Sequence, residues 1–111
     1  MRSAAFIAVF WLACSSKEMD SKPPPPMASA EVKRAQDACQ AYVDRACACQ
    51  SPVGQRQCRL AKALPEAVKL ALEVALNPAS PPNDAARAQV NIRETVKECI
   101  EQTAKLPMNG C

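Results

Sequence analysis

The sequence contains no histidine and, among its 111 residues, only two glycines, Gly54 and Gly110. The absence of histidine removes the usual general base near neutral pH and the commonest protein metal ligand. Two isolated glycines cannot form the glycine-rich loop that binds phosphate groups. We also find no nucleophilic residue with a nearby base. We therefore expect a protein that is not an enzyme and that needs no cofactor.

Aromatic residues are also scarce, because Tyr42 is the only one after residue 14. The basic residues are interspersed with acidic ones, at a net charge of +3. Nucleic-acid binding requires clustered basic side chains and aromatic surfaces for base stacking, so we do not expect it. A core of alanine and aliphatic residues buries little area per residue. A domain this small therefore needs covalent cross-links.

The N-terminal apolar run, AAFIAVFWLA at residues 4–13, has ten residues, whereas a membrane-spanning helix needs about 20. It follows one positive charge, Arg2, and precedes the polar pair Ser15 and Ser16. A positive start, a short apolar run and small residues before a polar segment are typical of a secretory signal peptide.

The run ends in Trp11-Leu12-Ala13-Cys14, which resembles the lipobox of bacterial lipoproteins. That motif has a leucine, a small residue, then Gly or Ala before the cysteine that is lipidated. Ala13 and Cys14 match it, while Trp11 holds the position of the usual leucine. The resemblance covers about the first sixteen residues and carries no information on the rest of the chain.

The resemblance implies that residues 1–13 are removed as a signal peptide and that Cys14 becomes an acylated N-terminus. Two or three acyl chains on Cys14 give stable attachment to a membrane, where one chain is marginal. Serine rather than aspartate at position 15 favours the outer membrane over the inner membrane of the cell envelope. The alternative is an ordinary signal peptide cleaved nearby, which leaves Cys14 as a free or intermolecular thiol.

The segment from Cys14 to residue 30 is polar and contains four consecutive prolines at 23–26. Proline favours an extended polyproline II conformation and has no backbone donor. We predict a disordered tether at 14–30 that reaches roughly 50 Å when extended. A generic spacer is favoured over a ligand for a proline-recognition domain.

The remaining residues, 31–111, are expected to form the folded domain. Apolar residues recur there at intervals of three and four over about 31–50, 55–76 and 83–106, which predicts three helices. No alternating pattern typical of a strand is present. The fold class predicted is therefore all-α, a small three-helix domain cross-linked by disulfides.

Two helix details follow from the prolines and polar residues. Pro65 either starts a new helix or kinks a longer one. The stretch after it is apolar around most of its circumference, so we expect it to be the most buried helix. Asn83 or Asp84 is expected to cap the third helix.

Seven cysteines cannot all pair within one chain, and Cys14 is the one that the lipobox resemblance removes from the count. An exported chain passes through an oxidising compartment, so three disulfides are expected among the other six. Fifteen pairings are possible, and antiparallel packing of successive helices favours one of them. The predicted pairs are Cys47–Cys58, Cys39–Cys99 and Cys49–Cys111.

A second interpretation uses the closely spaced Cys47 and Cys49. Together with Cys58 they could offer three thiolates to a soft metal such as Cu(I) or Zn(II), or they could exchange disulfides. The pair lies at the end of the first predicted helix, where the helix dipole raises rather than lowers a thiol pKa. Structural disulfides and no bound metal are therefore favoured.

These observations predict a small helical lipoprotein, attached to the membrane through Cys14, that acts as a non-enzymatic binding or structural module. The alternative is a periplasmic thiol protein acting through Cys47, Cys49 and Cys58. A third possibility is a carrier whose cross-linked helices enclose an apolar ligand. The sequence identifies no protein partner.

Overall fold

The computed structural model describes residues 23–111. It contains four α-helices and a final 3₁₀ turn, and these residues include no β-strand. The elements are α1 (Ser29–Ala48), α2 (Pro52–Ala61), α3 (Ala63–Leu76), α4 (Pro82–Lys105) and the 3₁₀ turn Leu106–Asn109.

The segments α2 and α3 form one helical arm that is interrupted at Lys62. Pro65 lies in the first turn of α3, where its missing N–H removes no helical hydrogen bond. Proline therefore starts a new helix here. With α2 and α3 counted as one arm, the prediction of a small all-α, three-helix domain with disulfides is confirmed.

The three arms pack side by side, with α4 against both α1 and α3, and α2 against α1. The arms α1 and α4 run in the same direction, because Arg93 pairs with Glu31 near the start of α1 and Cys99 bonds to Cys39 further along it. The α2–α3 arm returns between them. Both ends of the bundle therefore gather segments that are distant in the sequence.

The core lies where the inner faces of α1, α3 and α4 meet. Its fully buried side chains include Val68, Ile92 and the two cysteines of Cys39–Cys99, which we call the central disulfide. The remaining buried members of the core cluster, three of them alanines, are Met27, Ala35, Tyr42, Ala46, Ala61, Leu72 and Leu106. This alanine-rich composition agrees with the expectation that covalent cross-links supplement a modest hydrophobic core.

Two expectations about the helices are wrong. The helix α3 is not the most buried, because Leu70 is 55 % exposed and only Val68 and Leu72 on α3 are buried. The neighbouring helices cover one side of α3, and an apolar pattern around a helix does not specify which side that is. No side chain caps α4 either, since Pro82 takes its first position and Asn83 and Asp84 lie inside the first turn.

The predicted tether is also too long at its C-terminal side. Met27 is only 7 % exposed and belongs to the core, and α1 begins at residue 29 rather than 31. Proline lacks a backbone donor but keeps its carbonyl, so Pro25 can accept a hydrogen bond from Gln89 Nε2 at 2.9 Å. Residues 23–30 therefore pack with the folded domain and do not belong to the tether that the sequence predicts.

Candidate functional site

The two ends of the bundle have different chemistry, and each receives a name. The disulfide end comprises the end of α1, the start of α2 and the chain around Cys111. The tether end comprises residues 23–27, the end of α3 and the start of α4. Two of the three disulfides lie at the disulfide end, and the described chain begins at the tether end.

Three disulfides join all six cysteines of the domain, in the pairing that helix packing predicts. The S–S bonds are Cys39–Cys99 at 2.05 Å, Cys47–Cys58 at 2.07 Å and Cys49–Cys111 at 2.12 Å. The first bond crosses the centre of the bundle between α1 and α4. The other two lie at the disulfide end, where they hold α2 and the end of the chain against the end of α1.

The sulfurs differ in their access to solvent. Cys39 and Cys99 are both 0 % exposed, so the central bond is shielded from solution. Cys47 is half-buried and Cys58 buried, whereas Cys111 is exposed and only its partner is buried. Cys49–Cys111 is therefore the disulfide that includes an exposed cysteine residue.

Cys49 is the C-cap of α1, where the sequence predicts the end of the first helix, and it also lies beside the start of α2. The chain turns at residues 50–51, so that α2 begins directly beside Cys49 Sγ. Ser51, the N-cap of α2, has its Oγ 3.2 Å from that sulfur. A Cβ placed on Gly54 would collide with Cys49 Sγ, so only glycine fits where the disulfide packs on the first turn of α2. The negative end of the α1 dipole and the positive end of the α2 dipole both lie at Cys49, and they act on a thiolate there in opposite senses.

The metal interpretation finds no support in this state of the cysteines. Cys47, Cys49 and Cys58 are each bonded to another sulfur, so they do not present three thiolates. Between residues 23 and 111, no group of three His, Cys, Asp or Glu side chains is placed to hold a metal ion. Over the same residues, no helix has the length and apolar character needed to cross a bilayer.

At the tether end, the proline segment lies against a groove of about 250 Å³ between α3 and α4. Gln89 is the one buried polar side chain in the described domain, and its Nε2 donates to the carbonyl of Pro25. Gln89 is three residues from Ile92 on the buried face of α4. A polar residue on an otherwise apolar face was the available sequence signal, and sequence reasoning missed it.

An apolar surface remains uncovered along the α2–α3 arm. We call it the apolar flank, and it consists of Leu60, Ala63, Ala67, Leu70 and Val74, all exposed. These residues are spaced by three and four, which places them on one side of a helix. The helix α3 is apolar around most of its circumference, and the apolar flank is the part that does not face the core.

Next to the flank, Tyr42 is buried and its hydroxyl donates to Gln57 Oε1 at 2.6 Å. Burial, followed by the negative charge of Glu98, raises the pKa of Tyr42 above its usual value of 10.0. A hydroxyl whose pKa is raised is a weaker general base or nucleophile near neutral pH. The arrangement is therefore that of a structural hydrogen bond between α1 and α2.

Cys14 and the lipobox-like segment lie outside the described residues, so the predicted lipidation stays a prediction. Comparison of the chain with family models, with curated proteins and with solved structures finds no match.

Proposed function

We propose that the protein is a lipoprotein of the bacterial cell envelope, anchored through acyl chains on Cys14, whose helical domain serves as a non-enzymatic binding or structural module. The observation that carries this proposal is the disulfide pairing. The six cysteines of the domain are bonded to one another, so none of them is bonded to Cys14. The cysteine left over is the one that follows the lipobox-like residues.

The tether end determines how far the domain lies from the membrane. Because residues 23–27 lie against the domain, only residues 14–22 separate the anchor from it. Nine extended residues reach about 30 Å. The domain then stays within about 30 Å of the bilayer, with its tether end toward the lipid and its disulfide end pointing away. Of the two membranes of a diderm envelope, Ser15 favours the outer one.

A binding role is supported by the apolar flank. A small domain with few large apolar residues leaves Leu60 and Leu70 exposed while alanines fill much of its core. Ala63 and Ala67 between them would let a second helix approach closely. The flank runs along the side of the bundle, so an anchored domain can offer it to a helix of another envelope protein.

Anchoring is tested by expressing the full chain in a diderm bacterium and separating membrane from soluble periplasmic protein. We expect the natural chain in the membrane fraction and Cys14→Ala in the soluble fraction. The matched control is Cys47→Ala/Cys58→Ala, which removes two cysteines and a disulfide but should stay with the membrane. A Cys14→Ala variant that remains in the membrane fraction would contradict the proposal.

A further inference from the structure

The Cys49–Cys111 disulfide joins an exposed cysteine to a buried cysteine whose sulfur contacts the hydroxyl of Ser51. A thiolate from solution must approach a disulfide sulfur to attack it, and access decides which of the two is attacked. Cys111 is exposed and Cys49 is buried, so attack occurs at Cys111 and expels the sulfur of Cys49. The environment of Cys49 therefore determines how readily the bond opens.

That environment favours a departing thiolate. The ten-residue helix α2 begins beside Cys49 and has no acidic residue in its first turn. Ser51 Oγ accepts the N–H of Gly54 at 3.0 Å, and its hydroxyl donates to Cys49 Sγ at 3.2 Å, because a disulfide sulfur has no proton to give. This hydrogen-bonded chain stabilises negative charge on Cys49, and a thiol of lower pKa leaves faster.

The other two disulfides lack this combination. Both sulfurs of Cys39–Cys99 are inaccessible. In Cys47–Cys58 neither residue is exposed, because Cys47 is half-buried and Cys58 is buried.

We propose that Cys49–Cys111 is a redox-active disulfide that accepts two electrons from a dithiol and opens before the other two bonds. One thiolate of the dithiol attacks Cys111 Sγ, which forms a mixed disulfide and leaves the electron pair of the broken bond on Cys49. The second thiolate of the dithiol then attacks the other dithiol sulfur, which is bonded to Cys111 in the mixed disulfide, and releases Cys111 as a thiolate. Overall, two electrons and two protons pass to Cys49 and Cys111, and the dithiol becomes a cyclic disulfide.

Opening this bond frees the chain after α4 from the end of α1. The central disulfide still joins α1 to α4, and Leu106 remains part of the core. Reduction therefore loosens the disulfide end without disconnecting the bundle. This property goes beyond the proposed function and does not depend on membrane anchoring.

The test uses the natural full chain, limiting dithiothreitol as the dithiol, rapid quenching by alkylation, and peptide mapping of the alkylated cysteines. We expect Cys49 and Cys111 to be alkylated first, at least about tenfold faster than Cys39 and Cys99 because the latter sulfurs are shielded. Earlier opening of Cys47–Cys58, or simultaneous opening of all three bonds, would overturn the proposal.

Variants of Ser51 separate stabilisation of the leaving group from simple helix capping. If the hydroxyl stabilises the Cys49 thiolate, Ser51→Ala slows reduction by about threefold and Ser51→Thr restores the rate. If Ser51 serves only as a cap, its loss frays α2 and reduction becomes faster. Ser80→Ala, a serine change in the α3–α4 loop far from these sulfurs, should leave the rate unchanged. A Ser51→Ala rate equal to or above that of the natural chain would contradict the mechanism.

Discussion

The two ends of this bundle are held together in different ways. At the disulfide end, Cys47–Cys58 and Cys49–Cys111 connect α1, α2 and the end of the chain covalently. At the tether end, the proline segment is held by one buried methionine and one hydrogen bond between side chain and carbonyl. Covalent bonds restrain the unfolded chain as well as the folded one, whereas the contacts at the tether end exist only in the folded state.

The difference suits the proposed orientation. The end nearest the membrane carries weak, reversible contacts, so the length of free chain between anchor and domain can change without unfolding. The end far from the membrane has its geometry fixed by sulfur, and that geometry persists unless a reductant reaches it. Four predictions test this contrast, beginning with the largest effect.

The largest effect is expected from Cys49→Ala/Cys111→Ala. This bond links residues 62 positions apart, and closing a loop of that size contributes about 4 kcal/mol by the chain-entropy estimate. Urea denaturation of the oxidised protein measures the change in the free energy of unfolding. A loss no larger than that caused by Met27→Ala would contradict the contrast between the ends.

At the tether end, Met27→Ala should reduce the free energy of unfolding by about 2 kcal/mol, because it removes a buried side chain from the core. The matched control is Met108→Ala. Met108 is 80 % exposed, and its loss should change stability by less than about 0.5 kcal/mol. Equal effects of the two changes in urea denaturation would show that residues 23–28 do not belong to the domain.

A smaller effect is expected from Gln89→Leu, which keeps the side-chain volume but removes the donor to Pro25. The global loss should be about 1 kcal/mol or less, the value of one hydrogen bond. Hydrogen exchange measured residue by residue should show faster exchange at Met27 and Ala28, with α1 near Cys39 unchanged. Uniformly faster exchange across the domain would indicate global destabilisation instead of local release.

The smallest effect concerns Tyr42 at high pH. Its pKa is raised in the folded protein by burial and then by Glu98, so the neutral hydroxyl is the form that folding favours. The stability contributed is present in full below the unfolded pKa of about 10 and is lost as pH rises through the folded pKa. The midpoint temperature of thermal unfolding should therefore fall more steeply above pH 10 for the natural chain than for Tyr42→Phe. Parallel curves for the two proteins would exclude this contribution.

The parts of the fold that depend on regular spacing could be predicted from the sequence. Cys39 and Cys99 lie on apolar faces with three-four spacing, and the antiparallel order of three helices places those faces opposite one another. The same reasoning predicts the two pairs at the disulfide end, because a short turn brings Cys47 level with Cys58. Helix geometry therefore reduces fifteen pairings to the one that the structure contains.

The parts that depend on which surface is covered could not be predicted. Leu70 and Leu72 look alike in the sequence, and only the packing of α1 and α4 decides that Leu72 is buried and Leu70 exposed. Met27 follows four prolines in a polar segment, and its burial depends on packing with core residues that are distant in the sequence. The contact of the Cys49 sulfur with Ser51 at the start of α2 depends on a turn whose direction spacing alone does not specify.

The most direct test of the central claim is mass spectrometry of the mature protein, purified without reductant from a diderm bacterium. The account predicts an N-terminal peptide that begins at acylated Cys14, and six other cysteines that together lack six hydrogens as three disulfides. A chain that begins elsewhere, or a Cys14 that carries a free thiol, would contradict the division into one anchoring cysteine and six paired cysteines.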